Sequence, residues 1–145
     1  MQAKAGRLKT DHNVGMLVID CLLPRQDHPQ SDMAASESRG MFSSLKTMAK
    51  ELNIPVVVLS RLSSNLESRD NKRPQLSDLD EFGGIEENAD MICFIHRDQL
   101  SNSSADNPRR DSAELIIGKH KNGPIGTIEL AFLSECATFE NLICT

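Results

Sequence analysis

Three apolar stretches of this chain end on polar side chains. Residues 16–19 lead to Asp20, residues 56–59 to Ser60, and residues 91–95 to His96 and Arg97. In open α/β sheets ligands collect just beyond the carboxyl ends of strands, so these residues mark where a bound molecule would be handled. A strand-end aspartate also caps turns, and that plainer role stays open for Asp20. Further on, Lys119 and Lys121 lie within GKHKNGPIG, where Asn122 and Gly123 bring hairpin-turn chemistry. Two cations at such a tip most plainly form a solvated basic face. Glu86 and Glu87 open a short helical turn, and their plainest use is as negative charges at a helix start.

Metal and thiol chemistry find little support. The four cysteines (Cys21, Cys93, Cys136 and Cys144) show no CxxC spacing, and structural zinc sites want paired ligands close in sequence. Cys21 and Cys93 sit in or beside apolar runs, where a buried, inert thiol is the ordinary reading. The four histidines (His12, His28, His96 and His120) share no ligand spacing either, and are read as structural or exposed.

The elements that must position these residues follow a simple order. Residues 2–12 are polar helix formers stopped by Asn13 to Gly15. The run at 16–19 is continuously apolar, which suits a strand covered on both faces, as in a parallel sheet. Two prolines make residues 24–33 a loop. From 35 to 53 the apolar positions Met41, Phe42, Leu45, Met48, Ala49 and Leu52 recur at helical spacing. Pro55 then leads into a β-branched strand at 56–60. A third strand is expected at Met91–His96, a loop or disordered insert at 99–111, and hairpin strands at 114–117 and 127–132. Helix, strand, helix and strand with short links is the pattern of an α/β fold.

Composition narrows the classes. Hydrophobic residues are 39% of the 145 and charged residues 26%, ordinary for one domain spanning 1–145 with a real core. Aromatic content is only 3%, with no Trp or Tyr, which argues against a base-stacking single-strand binder. The net charge of −5 gives no bulk affinity for phosphates, so any nucleic-acid role needs a local patch or a ring of subunits. No secretory signal or membrane-length apolar run is visible, and the chain reads as cytoplasmic.

Five blocks, in order, carry a family resemblance. They are the strand ending in Asp20, the helix–strand unit AKELNIPVVVLS, RLSSNLESRDNKRP, SDLDEFGGIEENADMICFIHRD, and IIGKHKNGPIGTIELAF. Together, over about residues 5–141, they resemble the C-terminal motor domain of DnaB-type replicative DNA helicases. The resemblance implies a partial RecA-like fold of the P-loop NTPase type, three-layered, with a mainly parallel sheet plus a C-terminal β-hairpin. It implies a hexameric ATPase that moves on single-stranded DNA, with ATP and magnesium as cofactors. Single-stranded DNA and homologous helicase subunits are the implied partners, and no membrane.

Carried over residue by residue, the resemblance assigns roles. Asp20 matches the Walker B aspartate, which holds magnesium directly or through water. Arg61 falls where the family has a glutamine that senses the γ-phosphate; an arginine touches phosphate but accepts no hydrogen bond. Ser77 to Gly84 matches a DNA-facing loop, making Asp80, Glu81, Gly83 and Gly84 the candidate DNA contacts. Asp80 stands where the family has an arginine, so weakened contact is expected there, with main-chain N–H groups near Gly83 and Gly84 still available. An ordinary glycine-containing surface loop remains the plainer alternative. Lys119 and Lys121 match two basic residues that reach the neighbouring subunit's ATP. The second is an arginine finger in the family, and Lys121 keeps its charge without the forked donor geometry.

No GxxxxGK(S/T) phosphate-binding loop occurs in the 145 residues. In the family it lies upstream of the matched region, as does the general-base glutamate. The expectation is a truncated relative of the helicase motor that alone hydrolyses no ATP and binds no cofactor tightly, with unpaired strand edges. Arg61, Asp80 and Lys121 lean toward relaxed catalysis. The alternative is a non-catalytic modulator that docks on intact helicase subunits and offers them Lys119 and Lys121. A clock-type or recombinase-type RecA-like ATPase fits less well, because of the NGPIG hairpin and the IEENAD block.

Overall fold

A computed structural model of the chain describes residues 2–20, 32–62, 69, 71–82, 84–97 and 111–142; the side chains of 32–37 and 80–82 lie outside the description. The chain falls into two compact units, one of residues 1–62 with 79–89, the other of 63–78 with 90–145.

The first unit opens with α1, Gln2–His12. Asn13, at φ 47°, ends it in the left-handed conformation that asparagine tolerates. The Lys9 ammonium reaches Asn13 Oδ1 and the Val14 carbonyl, both at 3.2 Å, placing a cation where the helix exposes carbonyls. Strand β1, Leu17–Ile19, follows, and α2, Asp32–Leu52, closes on Asn53 at φ 50°. Strand β2, Val56–Val58, pairs parallel with β1, Leu17 with Val56 and Ile19 with Val58.

Helical spacing on α2 puts Leu45 and Met48 in the core with Ala5 of α1. Leu17, Ile19, Val56 and Val58 pack against them from the strands. Both helices thus cover the same sheet face. The side chains of alternate residues point the other way, and Val18 stays 53% exposed. The expectation of strands covered on both faces holds for one face only among the described residues. The unit ends with α3, Ile85–Asn88, entered through Gly84.

The second unit is a four-stranded antiparallel sheet in the order β3-β4-β5-β6. Its strands are Met91–His96, Ser112–His120, Gly126–Leu133 and Thr138–Asn141. The α/β class holds, but parallel pairing among the described residues is confined to β1 and β2. Strand β3 joins the hairpin rather than the parallel pair. Its alternation buries Ile92 and Phe94 and leaves Met91, Cys93 and Ile95 open. Cys93, expected to be a buried thiol, is exposed because it lies on that outward face.

The β3–β4 ladder carries a bulge. Ile92 faces Lys119 while Cys93 faces Ile117, so Gly118 is the extra residue. Phe132 of β5 lies opposite Phe139 of β6, with ring centroids 4.9 Å apart, and the Arg97 guanidinium stacks 3.5 Å from the Phe132 centroid. Strand β6 escaped the sequence reading because Thr138-Phe139-Glu140-Asn141 has no two-residue apolar alternation. Of the loops expected at 24–33 and 99–111, residues 24–31 and 99–110 lie outside the described residues; 32 and 33 already belong to α2, and 111 is a turn residue.

Candidate functional site

The first cluster of candidate residues arises from the register of β1 and β2. Because Ile19 pairs with Val58, Asp20 leaves the strand pair level with Leu59, and Ser60 and Arg61 follow on the same edge. The Leu59 amide donates to the Ile19 carbonyl at 2.9 Å, carrying the ladder up to that edge. Asp20, Ser60 and Arg61 are all exposed. A carboxylate and a guanidinium therefore share the carboxyl edge of a parallel strand pair, the place where α/β sheets take ligands.

The second cluster lies in the other unit. Lys119 is a residue of β4, half-buried and opposite Ile92, rather than part of the hairpin tip. Only Lys121 belongs to the turn. The bulge at Gly118 lies within this offset: β4 runs on to His120, three residues past its last pairing with β5, which is Ile117 with Gly126. Lys121 is held twice by one residue. Its ammonium lies 3.2 Å from Asp90 Oδ1, and its amide donates to the Asp90 carbonyl at 2.9 Å.

The third group is the loop before α3. Leu76–Phe82 forms a 3₁₀ helix, so Asp80 and Glu81 sit in helical backbone rather than in an irregular loop. Asp78 fixes its start, with one carboxylate oxygen accepting from the Gln75 amide at 2.7 Å and from Arg69 Nη2 at 2.9 Å. Gly83 lies outside the described residues. Gly84 has φ 81°, and its carbonyl accepts from the Asn88 side chain at 2.8 Å. A Cβ on Gly84 would stand 2.5 Å from Arg39 Cγ and 3.1 Å from Arg39 Cα. Glycine is needed there twice over, for the backbone angle and for the close approach of α2.

Segment 73–78 lies over the second sheet through polar contacts. Arg73 Nε stands 2.9 Å from Glu114 Oε2, and its Nη2 donates to Thr127 Oγ1 at 3.4 Å. The Arg73–Glu114 approach falls outside hydrogen-bond geometry and acts as a Coulombic contact. No group of three or more His, Cys, Asp or Glu side chains among the described residues could by itself hold a metal ion. Among them, too, no helix is long and apolar enough to cross a membrane.

The family model for the "DnaB-like helicase C terminal domain" matches residues 1–141. The chain belongs to this DnaB-like family. It is similar to the replicative DNA helicase DnaB of Geobacillus stearothermophilus, 42% identical over 98% of this chain and 31% of that protein. The replicative DNA helicase DnaC of Bacillus subtilis is 41% identical, again over 98% of this chain and 31% of that protein. The chain thus spans about a third of the length of these relatives.

Among solved structures, the "ATPase Domain of G40P" superposes with a TM-score of 0.82 at 36% identity, covering 98% of this chain and 50% of that one. A DnaB-like replicative helicase, solved in work on its interactions with primase, gives the same TM-score and identity over 34% of its chain. The α/β class and the DnaB-like match expected from the five sequence blocks both stand.

Three residues to which the DnaB-like resemblance assigned no site role emerge from the geometry. Asp90 anchors Lys121, Asp78 anchors the 3₁₀ turn, and Arg39 abuts Gly84. For Asp90 a signal existed, since it sits directly before β3, where a carboxylate can reach the neighbouring strand's end. Arg39 gave none, because α2 reads simply as an amphipathic helix.

Proposed function

We propose that this chain is the C-terminal portion of a replicative DNA helicase motor. In assembled subunits it works in ATP-driven DNA unwinding, and its 145 residues alone hydrolyse no ATP. The observation that carries this reading is the shared carboxyl edge of β1 and β2, where Asp20 and Arg61 emerge together in a chain matched to the DnaB-like family along 141 residues.

Asp20 offers one hard carboxylate oxygen in an exposed position. Magnesium takes such donors and keeps several waters, so Asp20 would hold the ion through water. Bound magnesium-ATP supplies the phosphoryl group and the charge to be stabilised. Arg61 donates to phosphate oxygens at that edge and holds no acceptor with which to orient a water. Lys119 and Lys121 present positive charge to the nucleotide of a neighbouring subunit, Lys121 as a point charge rather than a fork. The segment holding Asp80, Glu81, Gly83 and Gly84 faces single-stranded DNA, with main-chain N–H groups as donors. Homologous helicase subunits and single-stranded DNA are the partners, and the assembly is a hexamer.

The 145 residues contain no GxxxxGK(S/T), and without backbone donors and a lysine around the β- and γ-phosphates tight nucleotide binding is not assembled. Two experiments test the reading. Titration calorimetry of the purified chain with magnesium-ATP gives no tight binding, and a steady turnover by the chain would overturn the claim of inactivity. Grafting the chain in place of the matching segment of the Geobacillus stearothermophilus DnaB relative gives a chimera with DNA-stimulated ATP turnover. A chimera that assembles but turns over no more ATP than its phosphate-loop-dead version would sink the motor assignment.

A further inference from the structure

The segment proposed to face DNA is poor in the charge that DNA contact needs. From Ser77 to Gly84 it contains Asp78, Asp80 and Glu81 and not one lysine or arginine. Arg69 offsets Asp78 through a 2.9 Å ion pair, and the segment's own sequence supplies no cation beside Asp80 and Glu81. A cation from elsewhere must supply the attraction if phosphates are to bind there.

The fold places one. Arg39, in the middle of α2, lies against Gly84 so closely that no side chain fits between them. Its own side chain is exposed and has no ion-pair or hydrogen-bond partner among the described residues. The close approach is made by the Cα and the first stem carbons. The backbone of α2 itself therefore fixes the position, while the guanidinium remains at the surface. Gly84, with φ 81°, turns the chain into α3 at the same point. A guanidinium and the main chain of a glycine turn then border one surface, a combination suited to a phosphodiester oxygen.

We propose that Arg39 is a phosphate-contacting residue for single-stranded DNA. It supplies from α2 the positive charge absent from the Asp80 position. The proposal rests on the reading that the segment before α3 faces DNA. It differs from that reading in assigning the affinity to a helix residue outside the segment.

The test is fluorescence anisotropy of a fluorescein-labelled oligodeoxythymidylate titrated with the chain over a range of salt concentrations. The proteins are the unmodified chain, Arg39→Gln, Asp80→Arg and the double variant. Arg39→Gln keeps the stem length and a good helix former at an exposed site, and circular dichroism checks that α2 persists. The unmodified chain binds at low salt. Arg39→Gln weakens binding roughly three- to tenfold and flattens the log–log salt slope by about 0.7, one single-strand phosphate contact. Asp80→Arg tightens binding, and the double variant returns near the unmodified level.

Equal affinity and slope for Arg39→Gln and the unmodified chain would overturn the proposal, as would tighter binding by Arg39→Gln. Binding by Asp80→Arg without binding by the unmodified chain also overturns it, yet leaves the DNA-facing segment standing. If Asp80→Arg too fails to bind at low salt, the DNA-facing reading falls with it.

Discussion

The ammonium of Lys121 lies 3.2 Å from the Asp90 carboxylate, and the amide of the same lysine donates to the Asp90 carbonyl at 2.9 Å. Asp90 directly precedes β3 and Lys121 directly follows β4, so the antiparallel ladder itself brings them together, Met91 pairing with His120. The main-chain bond sets where Lys121 sits, and the ion pair sets where its charge points. Both side chains are about half exposed, 44% for Lys121 and 58% for Asp90. Exposed pairs of this kind contribute roughly 0–1 kcal/mol, so the pair orients the lysine without trapping it.

Lys121→Arg in the chimeric helicase raises DNA-stimulated ATP turnover. The forked guanidinium matches phosphate geometry where the ammonium acts as a point charge, and a trans-acting arginine can supply on the order of a thousandfold. The expected gain is on the order of tenfold or more in kcat, read by a coupled ATPase assay. An unchanged kcat in an assembled chimera removes Lys121 from the trans role.

Asp90→Asn separates orientation from stability. Losing an exposed ion pair moves the unfolding free energy by about 0.5 kcal/mol, while the Asp90 carbonyl still receives the Lys121 amide. In the chimera the substitution lowers kcat through a less well aimed lysine, with the urea midpoint of the chain almost unmoved. A fall in midpoint as large as that of a core truncation contradicts this division of labour.

Much of the fold was legible in the sequence, and the exceptions share one cause. α1 and β3 have the bounds their polarity and apolar runs implied, since local composition determines both. α2 follows its helical spacing, beginning three residues early at Asp32. What local pattern cannot carry is pairing. That β3 joins β4 rather than the parallel pair, and that Cys93 therefore faces outward, depends on partners far along the chain. The same holds for the site. Asp20 and Ser60 could be placed at strand ends from their runs, and Arg61 came from the DnaB-like resemblance, whereas the Asp90 anchor and the Arg39 approach required register and helix packing.

Arg73 and Glu114 offer a stability test in the second unit. The Glu114 side chain is only 15% accessible, against 46% for Arg73, so removing the arginine leaves a carboxylate mostly out of water without its cation. Arg73→Ala costs about 1–3 kcal/mol by urea denaturation. Replacing Glu114 by Gln in the Arg73→Ala background recovers part of that loss, because the stranded charge disappears. The cycle of four proteins isolates the coupling. Additive losses would show that the contact contributes nothing beyond packing.

Gly118 and Gly6 make the sharpest contrast among the glycines. Gly118 is the bulge residue of β4, and a Cβ there would stand 2.8 Å from Phe94 Cε2 and 3.3 Å from Leu76 Cδ2. Phe94 is 5% exposed and cannot swing clear without disturbing the buried sheet face. Gly118→Ala therefore destabilises the chain by about 1–3 kcal/mol, as overpacking does. Gly6 lies inside α1 with nothing within 4 Å of its would-be Cβ. There alanine removes backbone freedom from the unfolded chain and stabilises by about 0.5–1 kcal/mol. Opposite shifts in urea midpoint for the two substitutions are the expected result. The bulge matters beyond stability, because it sets how far β4 runs and so where Lys119 and Lys121 emerge. In the chimera, Gly118→Ala should therefore lower ATP turnover even at temperatures where the protein stays folded. A loss of stability with turnover intact would uncouple the bulge from the placement of the two lysines.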